Sequence, residues 1–390
     1  YMIVVVLVAF PIIIMLFSFT NYSEKFNFWA FVFFIIIALI ISTTHRNILS
    51  SINILGYRRN FVIFLNITLI IGLISSIILV YFFKSNSLSW LFGVVLGEAI
   101  MIFSIFKLFA QGNNINIQKI KSAFSKKRLL EVLKFTLPLG ITTFFMWGQN
   151  MSYRFIVDFK YSAESLGFIA VGLGISSGVF ISIETIASQY YKPIFLKDIL
   201  DANKDQRINA WNKMARTLIP IYILAMVFVF CMAEVLTSLL VDNKFHDSFI
   251  FAMAGATIEF FRVLTNLLNN ISQSERKTFN TIMPFFTGFL IVVCMLLAFN
   301  FSNNLLMISI VLSFAYFFSC LIMYVQMKKL LNFSIKVNIL KILILSIPFG
   351  LIFVLPDINS LTSSLTYLTV FGIYFIYCCW FLLYKVHTKY

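Results

Sequence analysis

Residues 218–241 read LIPIYILAMVFVFCMAEVLTSLLV, an apolar run interrupted by a single charge, Glu234. A helix needs about 20 mainly apolar residues to cross a bilayer, and this run is long enough. A barrel strand would alternate apolar and polar over about ten residues; these residues are apolar all round. The same character extends through the whole chain, where 61% of 390 residues are hydrophobic and only 12% charged. A soluble domain with average usage is about half apolar and a quarter charged, so the solvent for this chain is a bilayer.

The same ruler marks twelve spans: 2–20, 28–43, 61–83, 88–109, 135–157, 168–190, 218–241, 248–270, 279–300, 305–326, 338–355 and 366–384. Basic residues in short loops stay on the cytoplasmic side. With the first residue inside, 23 of the 30 Lys and Arg fall in inner loops or at the C-terminus. Four fall outside (Lys25, Lys84, Lys160, Lys244), and Lys107, Arg154 and Arg262 lie within helices. The net charge of +15 is thereby accounted for by topology and by attraction to anionic membrane lipids. Nucleic acid is not required as a partner. The skew toward Phe, Ile, Asn and Lys points to an AT-rich bacterial coding sequence, so the expected product is a multi-pass protein of a bacterial cytoplasmic (inner) membrane with its C-terminus in the cytoplasm.

Every expected outer loop is about ten residues or shorter, whereas 110–134 and 191–217 are long and inside. Residues 119–134 (KIKSAFSKKRLLEVLK) read as a basic amphipathic helix on the inner surface. The five cysteines form no Cys-x-x-Cys pair, and the three histidines are scattered, so no metal site is expected. No Gly-x4-Gly-Lys-Ser/Thr loop is present. The run Gly172-x-Gly174-x-x-x-Gly178 follows no strand and reads as close helix packing. These absences point to a transporter without a cofactor rather than an enzyme.

Transporters are often built from repeated halves. A shift of 216 residues aligns RNILSSINILG (46–56) with RVLTNLLNNIS (262–272), placing Arg46 on Arg262 and Asn53 on Asn269. Four regions follow: 1–109, the remainder of an N-terminal lobe; 110–134, a basic linker; 135–326, a C-terminal lobe; and 338–384, two added helices. The repeat predicts two further helices before Tyr1, or 14 in all.

Residues 135–195 carry a more specific signal. They read FTLPLG (135–140), SYRFIV (152–157), SAESLGFIAV (162–171) and QYYKP (189–193). This resembles the opening of the second half in polysaccharide transporters of the O-antigen flippase type, within the multidrug/oligosaccharidyl-lipid/polysaccharide exporter superfamily. Pro138 matches the proline near the helix start, Arg154 the outer arginine, Gly167-Phe168 the start of the next helix and Tyr191-Lys192-Pro193 its close. Tyr153 stands where that pattern has Asp. The resemblance implies an all-α polytopic fold with two six-helix lobes in a V around a central cavity. It also implies a lipid-linked oligosaccharide on an undecaprenyl-pyrophosphate carrier as cargo, flipped to the outer leaflet for O-antigen or capsule synthesis alongside a polysaccharide polymerase.

Ionisable side chains in hydrocarbon are costly and usually face a cavity or a partner. Arg46, Arg154 and Arg262 are candidates to line a cationic cavity for pyrophosphate or acidic sugars, since a guanidinium grips such oxygens two at a time. Gln149 and Asn150 are candidates to bind sugar hydroxyls, or else to bond neighbouring helices. Glu98, Glu184 and Glu259 are candidates for H⁺ or Na⁺ coupling. Two of these readings stay open: Glu259 and Arg262, three apart, can simply pair, and Arg154 can snorkel to the headgroups. A cation-coupled multidrug exporter is the alternative function. A glycan polymerase or ligase is disfavoured by the short outer loops.

Overall fold

The computed structural model describes residues 28–83, 87–110, 126–302, 304–335, 337–355 and 361–387. They form eleven α-helices, with no strand among the described residues: α1 (Phe28–Ile54), α2 (Arg58–Phe83), α3 (Ser87–Ala110), α4 (Lys126–Lys160), α5 (Ala163–Asp198), α6 (Lys204–Leu240), α7 (Phe249–Ser274), α8 (Ile282–Ala298), α9 (Leu306–Leu330), α10 (Ile339–Ser346) and α11 (Leu361–His387). Ten of them are long and apolar enough to cross a membrane. The protein is therefore a multi-pass, all-helical membrane protein.

The expected span 2–20 lies outside the described residues. The span expected at 338–355 is not a full helix: α10 has only eight residues and continues as a 3₁₀ segment, Ile347–Phe353. Pro348 stands at that change, where it lacks an N–H and its ring crowds the carbonyl four residues back.

Helix ends depart from the hydropathy reading in a consistent way. The long inner loop expected at 191–217 shrinks to residues 199–203, because α5 runs on to Asp198 and α6 begins at Lys204. Asn203 and Gln206 close this turn with a reciprocal capping box, each side chain on the other's backbone N–H at 2.9 Å. Pro193, expected to close its helix, lies inside α5, and Pro138 lies inside α4 rather than near its start. Residues 126–134 are continuous with the span as part of α4 and do not form a separate surface helix; residues 119–125 lie outside the described residues. At about 1.5 Å per residue, the 37 residues of α6 extend well past a hydrocarbon core of about 30 Å.

The chain divides into two compact units, Tyr1–Ala123 and Phe124–Tyr390. The last two helices belong to the second unit, where α11 packs along α6. In the first unit α2 and α3 pack most closely. A Cβ at Gly93 would stand 2.3 Å from the Ser76 backbone, and one at Gly97 would stand 2.6 Å from Gly72 N. The far side of α2 carries Leu69, Ile70, Leu73, Ile74, Ile77 and Ile78 outward, a surface suited to lipid.

In the second unit α6 is the most buried helix, with α5, α7 and α11 around it. Trp211, Leu224, Val229 and Met232 of α6 are fully enclosed in this core. A smaller core joins α4, α5, α7, α8 and α9 around Val157, Ile169, Val292 and Ile308. Lys160 ends α4 and donates to the carbonyls of Leu296, Leu297 and Phe299 at 2.8, 2.7 and 3.2 Å. It caps the open C-terminus of α8, where a cation complements the helix dipole.

Within the glycine run only Gly172 sits in a close contact: its Cβ would stand 2.3 Å from Ser248 O and 2.6 Å from Phe251 Cβ, while Gly174 and Gly178 face open space. Gly172→Ala should destabilise by about 1–3 kcal/mol from overpacking. Gly174→Ala, two residues away, should be neutral or stabilising by up to about 1 kcal/mol, because glycine weakens a helix. Denaturant unfolding of the two purified variants distinguishes the outcomes; equal behaviour sinks the packing assignment.

Candidate functional site

α7 carries a polar stripe through an otherwise apolar helix. Glu259, Arg262, Asn266, Asn269, Asn270 and Gln273 recur every three or four residues, so they share one face. Apart from Thr265 and Ser272, the positions between them are apolar: Phe260, Phe261, Val263, Leu264, Leu267, Leu268 and Ile271. Six polar side chains on one face of a membrane helix require protein partners or water. The structure provides both a partner helix and a cavity.

Arg262 stands between two carboxylates. Its Nε donates to Glu259 Oε2 at 2.6 Å on the same helix, and its Nη1 donates to Glu184 Oε2 at 2.8 Å on α5. The second Glu184 oxygen, Oε1, accepts from Asn266 Nδ2 at 2.8 Å. The side chains of Arg262, Glu184 and Glu259 are 16%, 19% and 8% exposed. Ser177 of α5 donates to Glu259, and Tyr222 of α6 and Tyr316 of α9 lie within electrostatic reach of the triad. One donor is left over: Arg262 Nη2 is buried and has no hydrogen-bond partner among the described residues. An orphaned guanidinium N–H marks a place for water or a ligand oxygen.

Next to the triad, α4, α5, α6 and α7 enclose a cavity of about 260 Å³. Glu184, Tyr222 and Asn266 face it from the triad side, and Ser188, Tyr191, Lys192, Asn269, Asn270 and Gln273 continue its polar wall. Met146, Leu218 and Leu267 supply apolar surface. Arg262 is not on the wall; it backs Glu184 and Asn266, which are. The volume is just below the roughly 300 Å³ at which small-ligand sites begin, so the cavity holds one small polar group rather than a whole oligosaccharide.

The other expected site residues occupy different places. Gln149 is fully buried at the crossing of α4, α8 and α9; its Oε1 lies 3.4 Å from Ser319 Oγ, and Gly288 leaves room for its amide. That is the interhelical alternative. Asn150 is exposed. Arg154 is exposed too, with Nε 3.3 Å from Tyr153 OH and its guanidinium over the Tyr153 ring at 5.9 Å. Arg46 and Glu98 belong to the first unit. Arg46 is exposed, whereas the Glu98 carboxylate on α3 accepts a hydrogen bond from Ser42 on α1. His45, one turn along α1, is buried with Nε2 3.1 Å from Thr68 Oγ1 and interacts electrostatically with Glu98. Thr68 Oγ1 already donates to Phe64 O at 2.7 Å, so in the His45 contact it accepts and Nε2 carries the proton.

The expectation of a cationic cavity built on Arg262 changes accordingly. With both glutamates ionised, the Glu184–Arg262–Glu259 group carries a formal −1, and Lys192 on the wall returns the sum to zero. Sequence reasoning missed the amides of α7 and Lys192. The signal for the amides was available as the i, i+3, i+4, i+7 spacing of Asn266, Asn269, Asn270 and Gln273.

Removing the guanidinium strands the buried Glu259 carboxylate and the partly buried Glu184, so Arg262→Ala should cost about 3 kcal/mol, the low end of the range for a broken buried pair. The triple variant Glu184→Gln/Glu259→Gln/Arg262→Ala removes the stranded charges with it and should recover most of that loss. Detergent-solubilised protein followed by thermal unfolding measures both. A triple variant no more stable than Arg262→Ala would show that the three groups do not act as one electrostatic unit.

Compared with known protein families and with curated proteins, this chain matches none.

Proposed function

We propose that this protein is a membrane transporter that flips a lipid-linked oligosaccharide, an undecaprenyl-pyrophosphate-linked repeat unit, to the outer leaflet of a bacterial cytoplasmic membrane for surface polysaccharide synthesis. The observation that carries the proposal is the amide wall of the cavity. Asn266, Asn269, Asn270 and Gln273 each bring a donor and an acceptor, as do sugar hydroxyls, and they stand with Ser188, Tyr191 and Tyr222 around a space of one small polar group. A cavity with no net charge recognises such a group through hydrogen bonds. Lys192 supplies the cation for an anionic substituent. The sequence resemblance at residues 135–195 supports the same branch of transporters, with alternating access as the mechanism and carboxylates such as Glu98 and Glu184 as candidates to bind the driving H⁺ or Na⁺.

A cation-coupled drug exporter is the second reading, and one observation favours it: the Glu184 carboxylate faces the cavity, where it would attract an organic cation.

Deletion in the native host, complemented with the full-length protein, tests the proposal. Deletion should remove the surface glycan while complete lipid-linked units accumulate facing the cytoplasm. Complementation with Asn266→Leu or Asn270→Leu should lower export about two- to tenfold each, the worth of one hydrogen bond. Units that reach the outer face without being lengthened or transferred would identify a polymerase or ligase instead. Intact glycan with lost efflux of a cationic dye would identify the drug exporter.

A further inference from the structure

A second polar pocket, of about 470 Å³, lies where α5 turns into α6, away from the triad. Asp198 ends α5, the chain reverses with Asp201 in the left-handed region (φ 56°), and α6 starts from the Asn203 cap. Gln206, Asn209, Lys213 and Arg216 then follow at helical spacing on the pocket side of α6, with Asn212 beside them. The opposite side of the same turns, Trp211, Met214, Ala215 and Leu218, is buried in the core. The segment is therefore rigidly placed.

Two features define what it would bind. First, its depth: the uninterrupted apolar run of α6 begins at Leu218, so Lys213 and Arg216 stand within about two turns of the hydrocarbon border, at the level of lipid phosphates. Second, its mixture of groups: two cations share the pocket with acceptors that include the Asp198 carboxylate and the Asn212 amide oxygen. Asn212 is only 8% exposed, and its Oδ1 is buried with no hydrogen-bond partner among the described residues. A buried acceptor without a donor is costly unless a ligand supplies one. A phosphodiester that carries no hydroxyl has none to give and would meet Asp198 as a like charge. A phosphodiester that also carries hydroxyls satisfies both sets: phosphate oxygens to Lys213 and Arg216, hydroxyl protons to Asn212 Oδ1 and Asp198.

We propose that this pocket is a headgroup site for an anionic, hydroxyl-bearing phospholipid of the phosphatidylglycerol kind, in the leaflet on the side of the α5–α6 turn. The site depends on the membrane setting and not on the transported substrate, so it stands or falls separately from the flippase assignment.

The test uses the full chain, delipidated in neutral detergent. Binding is read by native mass spectrometry and by lipid-induced thermal stabilisation with phosphatidylglycerol, phosphatidylmethanol and phosphatidylcholine, and with water-soluble glycerol 3-phosphate as competitor. Phosphatidylglycerol should bind best. Lys213→Gln, at an exposed position, should weaken it about fivefold, and Lys213→Gln/Arg216→Gln about 30-fold, with phosphatidylcholine unaffected. Phosphatidylmethanol, which keeps the charge and lacks the hydroxyls, should bind several-fold more weakly, and Asn212→Leu should erase that difference. Equal retention of phosphatidylglycerol and phosphatidylcholine, or no loss in Lys213→Gln, overturns the site. Glycerol 3-phosphate displacing the lipid at equal concentration overturns the lipid as its occupant and assigns a soluble polyol phosphate.

Discussion

Hydrocarbon offers no hydrogen-bond partner, so every polar group that enters it must be met by the protein itself, and Arg262 is the group for which that demand is steepest. A guanidinium cannot escape by losing its proton, so it has to bring its own counter-charges. Glu259 is supplied by its own helix, three residues away. Glu184 has to come from another helix, and its two bonds of 2.8 Å, to Arg262 and to Asn266, tie α5 to α7. The same demand fixes Lys160 on the end of α8 and Gln149 beside Ser319. In this protein the polar side chains act as register marks between helices that apolar packing alone would hold loosely.

Small residues make that register reachable. On α5, Gly172, Ser176, Phe180 and Glu184 follow at four-residue intervals along one face; on α7, Ala252, Gly255, Glu259, Arg262 and Asn266 do the same at three and four. At one end the helices almost touch: a Cβ on Gly172 would stand 3.0 Å from Ala252 N, one on Gly255 2.8 Å from Ser176 Oγ, and Ser176 Oγ donates to Ala252 O at 2.6 Å. A few turns further on, the contact becomes the ion triad, and beyond it the cavity with its amide wall. The face thus passes from closest packing to charge to solvated amides along one helix. Interfaces of small residues are the usual means of bringing membrane helices together. Here they hold the carboxylate of Glu184 within reach of a guanidinium on the neighbouring helix.

What the sequence disclosed follows the same physics. Spans were legible because burial in lipid leaves long uniform runs such as 218–241, and the Glu259–Arg262 pair was legible because it is local. Glu184 was recognisable as a membrane carboxylate, but its bond to Arg262 crosses 78 residues and no spacing rule reports it. Helix ends were misplaced wherever a helix left the bilayer, because hydropathy stops at Leu218 while hydrogen bonding continues back to the Asn203 cap. The proline at 348 stands in the sequence, yet hydropathy does not register its consequence, the change from α10 to a 3₁₀ segment inside the expected span.

The charge arrangement also narrows how a transporter of this kind would work. Arg262 is already claimed by two carboxylates, so an anionic substrate gains little from it directly; Lys192 on the wall is the accessible cation. Yet Arg262 retains an Nη2 with no partner among the described residues, and Asn266 is tied to Glu184 by its Nδ2. A ligand oxygen or a bound cation that altered the charge on Glu184 would loosen both Arg262 and Asn266 together, since Glu184 bonds each through a separate oxygen. Glu184 is therefore the member of the triad that faces the cavity and holds its two neighbours at once. On the proposed reading, that makes it the point where occupancy of the cavity is communicated to the contact between α5 and α7, and coupling runs through this carboxylate rather than through the guanidinium behind it.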